Sequence, residues 1–278
     1  MSAELELARG MRDEGRYRAL ITFISQQSES SMAASFQQQF YTEIGAGGFT
    51  RIDGTVAFYQ RVNSLLKKEA VLLDYGAGRG AWHMEDSCEY RRSLRNFRSR
   101  TACVIGVDVD EAVMQNPTLD EAHVFNPNDR LPLSDASIDI IVSDFVFEHI
   151  SDPAQTASEL DRVLKPGGWL CARTPNRYGY IALSNLLAPE AIRKRVLNIA
   201  QPSRKEEDVF PAVYFMNSFR ALLKWFPSAR FEHFSYSWDA EPGYHANNKI
   251  LFRSMKIVHY ITPPSLRSTL MIFIRKRL

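Results

Sequence analysis

The chain has 278 residues, of which 45% are hydrophobic and 24% are charged. This balance is typical of a globular protein, and the length suits one large domain or one domain with an appended cap. A net charge of only +2 argues against an overall field that would attract nucleic acid or an acidic membrane. The three cysteines are too widely spaced for a disulfide framework or a Cys-x-x-Cys metal site. We therefore expect no metal ion and no nucleic-acid partner.

The N-terminal residues and the lengths of the apolar runs predict the cellular location of the protein. Residues 1–18 are rich in charges and lack the apolar core of a signal peptide. No apolar run reaches the roughly 18 residues that suggest a membrane span. We therefore expect a cytoplasmic protein without a membrane span. Basic side chains cluster at residues 91–100 and 193–195, and both clusters are interpreted as solvated faces of helices or loops.

Two regions with different patterns divide the chain. Residues 1–68 are predicted to form a mainly helical N-terminal cap, in which residues 55–66 carry apolar side chains at helical spacing. From residue 69 to residue 278, short β-branched runs alternate with helical segments. Such alternation is typical of a parallel sheet whose strands are joined by helices.

The order of the elements predicts an α/β, doubly wound, mostly parallel sheet of seven strands. Helices are expected after Gly80, over residues 152–164 and over residues 216–226. The charge-rich segment 176–215 is predicted to be an insertion after the fifth strand. It could form a lid over a binding site or a helical insertion with solvated charges. The predicted strands are residues 70–74, 102–108, 122–125, 138–143, 169–173, 230–238 and 270–274, the last of them antiparallel.

An acid followed by three glycines closes the first strand. Asp74 precedes Gly76, Gly78 and Gly80, which allow a tight turn and a close approach of the backbone to a ligand. Together with Ala81 the first two glycines also satisfy the Gly-x-Gly-x-x-Ala fingerprint of dinucleotide sites, so an NAD(P)-dependent oxidoreductase remains an alternative. An acid two residues before the first glycine would repel a pyrophosphate but would suit an amine-bearing sulfonium ligand.

A second acid, Asp108, closes the second strand and is placed to accept hydrogen bonds from the hydroxyls of a ribose. It follows Asp74 by 34 residues. That is longer than the roughly 20 residues of the dinucleotide fingerprint. The excess falls in residues 82–100, which we interpret as an elongated or interrupted helix. An acid that merely caps the next helix is the structural alternative.

Three further segments follow in order: LPLSDASID at residues 131–139, IIVSDFVFEHISDP at 140–153 and RVLKPGG at 162–168. With the glycine loop and Asp108, this order resembles the class I, Rossmann-like S-adenosylmethionine-dependent methyltransferases, in the group that acts on small molecules. The resemblance covers about residues 70–175.

The resemblance implies that S-adenosylmethionine is the cofactor and S-adenosylhomocysteine the product. The acceptor would be a small molecule, such as a sugar, a lipid or an isoprenoid with a reactive hydroxyl or carbon. The glycine loop would hold the methionine portion, and either of two asparagines would meet the adenine amine. The residues implied for cofactor binding are Asp74, Gly76, Ala77, Gly78, Gly80, Asp108 at the ribose, Val109 against adenine, Asn126 or Asn128, and Ser143 with Asp144 beneath the methyl group.

Glu148 and His149, after the fourth strand, are the candidate catalytic residues. A histidine can take a proton from an acceptor hydroxyl near neutral pH. The pair can equally support its loop and pack against the following helix. A general base is not strictly required, since alignment and water exclusion suffice for an activated donor. A protein that keeps this fold and binds the cofactor without turnover is a further alternative.

Overall fold

The computed structural model describes residues 36–180, 182–183, 211–242 and 248–278. Most of the predicted cap, residues 1–35, and most of the predicted lid, residues 184–210, lie outside the described residues. The strands are β1 Val71–Tyr75, β2 Cys103–Asp108, β3 Glu121–Val124, β4 Ile138–Asp144, β5 Leu164–Pro175, β6 Phe231–His233, β7 Tyr236–Trp238 and β8 Thr269–Lys276.

The helices of the described residues flank this sheet. They are α1 Gly54–Leu65, α2 Trp82–Glu85, α3 Glu89–Arg95, α4 Pro153–Val163, α5 Phe219–Trp225 and α6 Lys249–Ile261. Asp53 begins α1 because its carboxylate accepts hydrogen bonds from the backbone N–H groups of Thr55 and Val56. The short helices α2 and α3 confirm that the charged stretch after the glycine loop is an interrupted helix.

The sheet has the strand order β3-β2-β1-β4-β5-β8-β6, with β7 also paired to β8. Strands β1 to β5 are parallel, and β8 runs antiparallel to β5 as predicted. The order reverses between β1 and β4, and doubly wound sheets bind ligands at the carboxyl ends of strands at such a point. The predicted α/β, doubly wound, mostly parallel fold is confirmed.

Within the described residues the sheet contains eight strands where seven were predicted, because the segment at residues 230–238 is broken in two. At the break the backbone N–H of Phe273 donates to the Ser235 hydroxyl at 3.1 Å. The Phe234 N–H donates to the Phe273 carbonyl at 2.8 Å. A side-chain oxygen thus replaces one backbone acceptor, and the two halves, β6 and β7, both pair with β8.

Two other predicted boundaries shift for reasons of hydrogen bonding and register. Pairing of β4 with β5 jumps from Ile138–Leu164 to Ile140–Trp169, so residues 165–168 form a bulge within β5. Helix α5 begins later than residue 216 because the Asn217 side chain is held outside it, donating to the Pro175 carbonyl at 2.9 Å.

Helices cover both faces of the sheet. Leu160 of α4 and Leu222 of α5 are buried in the apolar cluster on one face. Phe58 and Val62 of α1 are buried in the cluster on the other face, together with side chains of the central strands. Helix α1, which falls in the predicted N-terminal cap, therefore packs directly on the sheet. The domain boundary at residue 68 stays a prediction.

Candidate functional site

Three glycines with positive φ shape the loop at the end of β1. Gly76, Gly78 and Gly80 have φ angles of +79°, +52° and +68°. A Cβ at Gly76 would lie 2.2 Å from a methyl carbon of Val146, and one at Gly80 would lie 2.4 Å from Oδ1 of Asn116. A Cβ at Gly78 would meet no atom within 4 Å. Packing therefore requires glycine at positions 76 and 80, whereas Gly78 faces open space that a ligand can enter.

Asn116 holds this loop from outside and was missed by the sequence analysis. Its Nδ2 donates to the carbonyls of Ala77 at 3.1 Å and Gly78 at 3.0 Å. Its Oδ1 accepts from the backbone N–H of Thr118 at 3.0 Å and from the Thr118 hydroxyl at 2.7 Å. An asparagine before a proline predicts only a turn, so no sequence signal pointed to this contact.

Asp108 lies at the end of β2 and faces the glycine loop. One carboxylate oxygen accepts from the Gly78 N–H at 2.8 Å and the other from the Asp110 N–H at 3.0 Å. Each oxygen has a further lone pair for a ligand hydroxyl. The capping of the next 3₁₀ turn is performed by Asp110, which accepts from the Ala112 N–H. The neighbouring Val109 is 42% exposed, as an apolar side chain beside a ligand space would be.

Asp74 is a buried acid at the end of β1, and burial raises its pKa to about 7. The nearby Arg95 opposes this rise in pKa, whereas Asp144 and Asp108 add to it. A carboxyl group with a pKa near neutrality gives up its proton readily when a cation arrives beside it. The environment of Asp74 thus suits an amine-bearing ligand.

Asp144, at the end of β4, is held by an ion pair. Arg173 donates from Nε and Nη2 to the two oxygens of Asp144, both at 2.7 Å, and the Tyr59 hydroxyl donates to it at 3.2 Å. Burial alone would raise the pKa of Asp144, but Arg173, Arg95 and the Tyr59 hydroxyl together outweigh burial, and the pKa is lowered. The adjacent Ser143 is fully buried and donates to the Tyr75 carbonyl at 3.0 Å. These bonds hold both side chains in place at the switch point, and we call Ser143 and Asp144 the floor. Its position beneath the methyl group stays a prediction.

Arg95 extends from α3 over the same floor. Its guanidinium lies 4.7 Å from the ring centroid of Trp82 and 5.4 Å from that of Tyr59. One of its nitrogens is 3.7 Å from Asp144, and its buried Nε has no hydrogen-bond partner in the part of the chain that the structure describes. The interpretation of residues 91–100 as a solvated face is therefore wrong at Arg95, because the short helix α3 turns this side chain inward.

The two candidate adenine contacts, Asn126 and Asn128, both lie exposed after β3. The backbone N–H of Asn128 donates to the side-chain oxygen of Asn126 at 3.1 Å. An adenine amine would have to share that oxygen with the turn. The assignment between the two residues stays open.

Glu148 and His149 connect the loop after β4 to two other segments. The buried Glu148 carboxylate accepts from the Thr174 hydroxyl at 2.7 Å. His149 Nδ1 is 3.1 Å from the Pro211 carbonyl, which can only accept, so Nδ1 carries the proton. His149 Nε2 then lies 4.0 Å from Glu148. These contacts tie the loop to β5 and to the segment after residue 210, and a catalytic role for the pair stays a prediction.

A polar cleft opens beyond this floor, beside the start of α1. Arg173 contributes to it from Nη1, which donates to the Thr55 hydroxyl at 3.0 Å, and Arg91 contributes through its ion pair with Asp53 at 2.9 Å. The cleft is lined by Gln37, Asp53, Gly54, Thr55, Arg91, Arg173, Ala240 and Glu241. It lies at the carboxyl end of β5, on the side away from Asp108.

Within the described stretches, no group of three or more His, Cys, Asp or Glu side chains is arranged to hold a metal ion. No helix among the described residues is long and apolar enough to cross a membrane.

Comparison with known proteins places these features in a family. Residues 48–237 match the methyltransferase-domain family. A Mycolicibacterium smegmatis protein named as a probable S-adenosylmethionine-dependent methyltransferase is 46% identical over 79 residues, which cover 27% of this chain and 30% of that protein. Malonyl-[acyl-carrier protein] O-methyltransferase 1 of Coxiella burnetii is 38% identical over 115 residues, covering 41% of this chain and 37% of that enzyme. The chain thus spans about a third of the length of these relatives.

Among solved structures, a SAM-dependent methyltransferase from Aquifex aeolicus is 16% identical, with a TM-score of 0.43, covering 81% of this chain and 94% of that chain. The family match covers more than half of the chain and includes the glycine loop, Asp108 and Asp144. This family match favours S-adenosylmethionine over NAD(P), the two cofactors that the glycines alone left open. The chain belongs to the class I, Rossmann-like family of S-adenosylmethionine-dependent methyltransferases.

Proposed function

We propose that this protein transfers the methyl group of S-adenosylmethionine to a small-molecule acceptor, such as a sugar, a lipid or an isoprenoid. The observation that carries the proposal is the open space over Gly78, which lies between Asp74 and Asp108 at the switch point of the sheet. Asp108 is fixed by two backbone N–H groups, and Asp74 has a pKa near neutrality.

These residues fit the cofactor group by group. The free lone pairs of Asp108 would accept the two ribose hydroxyls, and the Asp74 carboxylate would pair with the ammonium of the methionine portion. The bare backbone at Gly78 would allow the close approach that a side chain would prevent. When bound, the cofactor supplies an activated sulfonium methyl group.

The contribution of the chain is then to bind, to align and to exclude water. The Arg173–Asp144 pair and Tyr59 make a floor whose side chains are held in place by hydrogen bonds. The polar cleft beside α1 reaches the same Arg173 and would receive the acceptor. Glu148 and His149 would take up a proton only if the acceptor is an alcohol or an acidic carbon.

Isothermal titration calorimetry with S-adenosylhomocysteine and with NADH tests the cofactor assignment. We expect heat only from S-adenosylhomocysteine, and Asp108→Ala should weaken its binding by about 1–3 kcal/mol through loss of charge-assisted hydrogen bonds. Glu111→Ala removes an exposed acid three residues away and should change the affinity little. Tight NADH binding without a response to S-adenosylhomocysteine would overturn the assignment.

Transfer of a labelled methyl group tests turnover separately. The protein is incubated with labelled S-adenosylmethionine and, in turn, sugars, long-chain lipids and isoprenoid alcohols, and the label is followed into each product. Label in one class identifies the acceptor class. Binding of S-adenosylhomocysteine with no label in any class would favour the non-catalytic alternative.

A further inference from the structure

Helix α6 presents an apolar face to solvent. Its exposed apolar side chains are Ile250 at 78%, Leu251 at 43%, Ile257 at 63%, Val258 at 51% and Ile261 at 69%. They recur at intervals of three and four or of seven and eight residues, so they share one side of the helix. Ser254 lies among them on the same side. Scattered exposed apolar residues are ordinary, whereas five of them on one side of a helix are typical of an interaction surface.

The opposite side of α6 holds the helix on the protein. Phe252 is fully buried, and its ring centroid lies 4.4 Å from that of Phe40 and 6.1 Å from that of Tyr41. Since α6 is anchored by this side, the exposed apolar face points away from the described part of the protein.

Every charged side chain of α6 is basic. Lys249, Arg253 and Lys256 carry its positive charges, and residues 249–261 contain no Asp or Glu. Arg253 lies 5.9 Å from the Phe40 ring and Lys256 lies 4.6 Å from the Tyr41 ring. Helical spacing places both cations on the flank between the anchored side and the apolar face, so they border that face along one edge.

An apolar face bordered by cations is the pattern of a helix that lies in the plane of a lipid surface. A groove on another protein would take the same apolar anchors, but it would not require a helix free of acids. An anionic lipid surface attracts the cations at its headgroups and takes the apolar face into its acyl boundary. The small net charge of the whole chain does not oppose this, because the attraction acts within about 10 Å of the surface.

We propose that α6 is an interfacial helix that seats this protein on an anionic lipid surface. This attachment surface lies near the carboxyl end of β5. Asn176, just after β5, donates to the carbonyls of Ser265 and Arg267, which follow α6. The His259 ring of α6 lies 5.4 Å from the ring of Tyr180. The inference concerns attachment and does not depend on the proposed methyl transfer.

Co-sedimentation with vesicles of phosphatidylcholine, with and without phosphatidylglycerol, tests the proposal on the full chain. Ile257→Asp places a charge in the apolar face, and Leu278→Asp places one at a 99% exposed residue outside α6, beside Gly167. We expect the unmodified protein and Leu278→Asp to bind the anionic vesicles more tightly than the neutral ones. Ile257→Asp should lower the binding at least about tenfold. Arg253→Glu should lower binding to the anionic vesicles. Added salt should weaken the binding of the unmodified protein to the same vesicles.

Three results would overturn the proposal. The first is equal sedimentation of the unmodified protein and Ile257→Asp. The second is that the unmodified protein forms a dimer, that Ile257→Asp dissociates this dimer, and that neither protein binds the vesicles. This result would assign the face to a second copy of the chain. The third is a lower melting temperature for Ile257→Asp without vesicle binding by either protein, which would show that the face is covered within the chain.

Discussion

Replacing Gly78 by alanine separates ligand binding at the glycine loop from the folding of that loop. The φ angle of +52° costs an L residue about 1–2 kcal/mol. The new Cβ would meet no protein atom within 4 Å, so no packing strain adds to this cost. We therefore expect the free energy of unfolding to fall by only about 1–2 kcal/mol.

The same methyl group would project into the space proposed for the methionine portion of the cofactor. A ligand that approaches bare backbone must move away or lose contacts when a Cβ stands there. We expect the affinity for S-adenosylhomocysteine to fall by at least about tenfold, which corresponds to about 1.4 kcal/mol.

Gly76→Ala is the matched control, since Gly76 also has a positive φ, of +79°. Its Cβ would lie 2.2 Å from a methyl carbon of Val146. The overlap adds about 1–3 kcal/mol of packing strain to the backbone cost. Gly76→Ala should therefore lose more stability than Gly78→Ala.

Urea unfolding measures the stability of both variants, and calorimetry with S-adenosylhomocysteine measures binding under conditions in which both are folded. A Gly78→Ala variant that binds S-adenosylhomocysteine as tightly as the unmodified protein would refute the placement of the cofactor at this loop. Equal losses of stability in the two variants would refute the packing argument.

Two further predictions concern the buried charges. Burial raises the pKa of Asp74 from 3.8 to about 7, so the folded protein keeps a proton that the unfolded chain releases, and the free energy of unfolding should fall as the pH rises between these values. Urea titrations at several pH values should show this slope, and Asp74→Asn should remove it; a slope unchanged by the substitution would contradict the prediction. Arg173→Met should lower the free energy of unfolding by about 3–5 kcal/mol, because it leaves Asp144 buried without its partner. Adding Asp144→Asn should restore part of this loss in urea unfolding, and no recovery would show that packing of Arg173, rather than its charge, is what matters.

The sequence predicts the central strands well because each is buried on both faces and is therefore a continuous apolar run. The fourth strand was expected at residues 138–143 and lies at Ile138–Asp144. The strand expected at residues 230–238 was not predicted to break. Its interruption depends on a hydrogen bond between Ser235 and Phe273, which are 38 residues apart. A local pattern contains no information about such a contact.

The same limit applies to the site. Asp74, Gly76, Gly78 and Asp108 could be predicted as cofactor-binding residues because they stand at or just after the ends of strands at recognisable spacings. Their role stays a prediction. Asn116, Arg95 and Arg173 were not identified, since their roles arise from contacts across the fold. Arg95 in particular belongs to a cluster of basic residues whose composition predicts a solvated face. Only the direction in which α3 packs turns its side chain toward the acids.

The balance of charge at the switch point bears on what the site can bind. Two acids, Asp144 and Asp108, lie close enough to Asp74 to add to the rise in its pKa that burial causes. Arg173 is committed to Asp144 by two hydrogen bonds, and Arg95 lies nearest to the same carboxylate at 3.7 Å. Asp74 is therefore left to hold a proton near neutral pH. A ligand that carries its own positive charge would replace that proton, and for this reason we expect a cationic ligand to bind here more tightly as the pH rises through about 7.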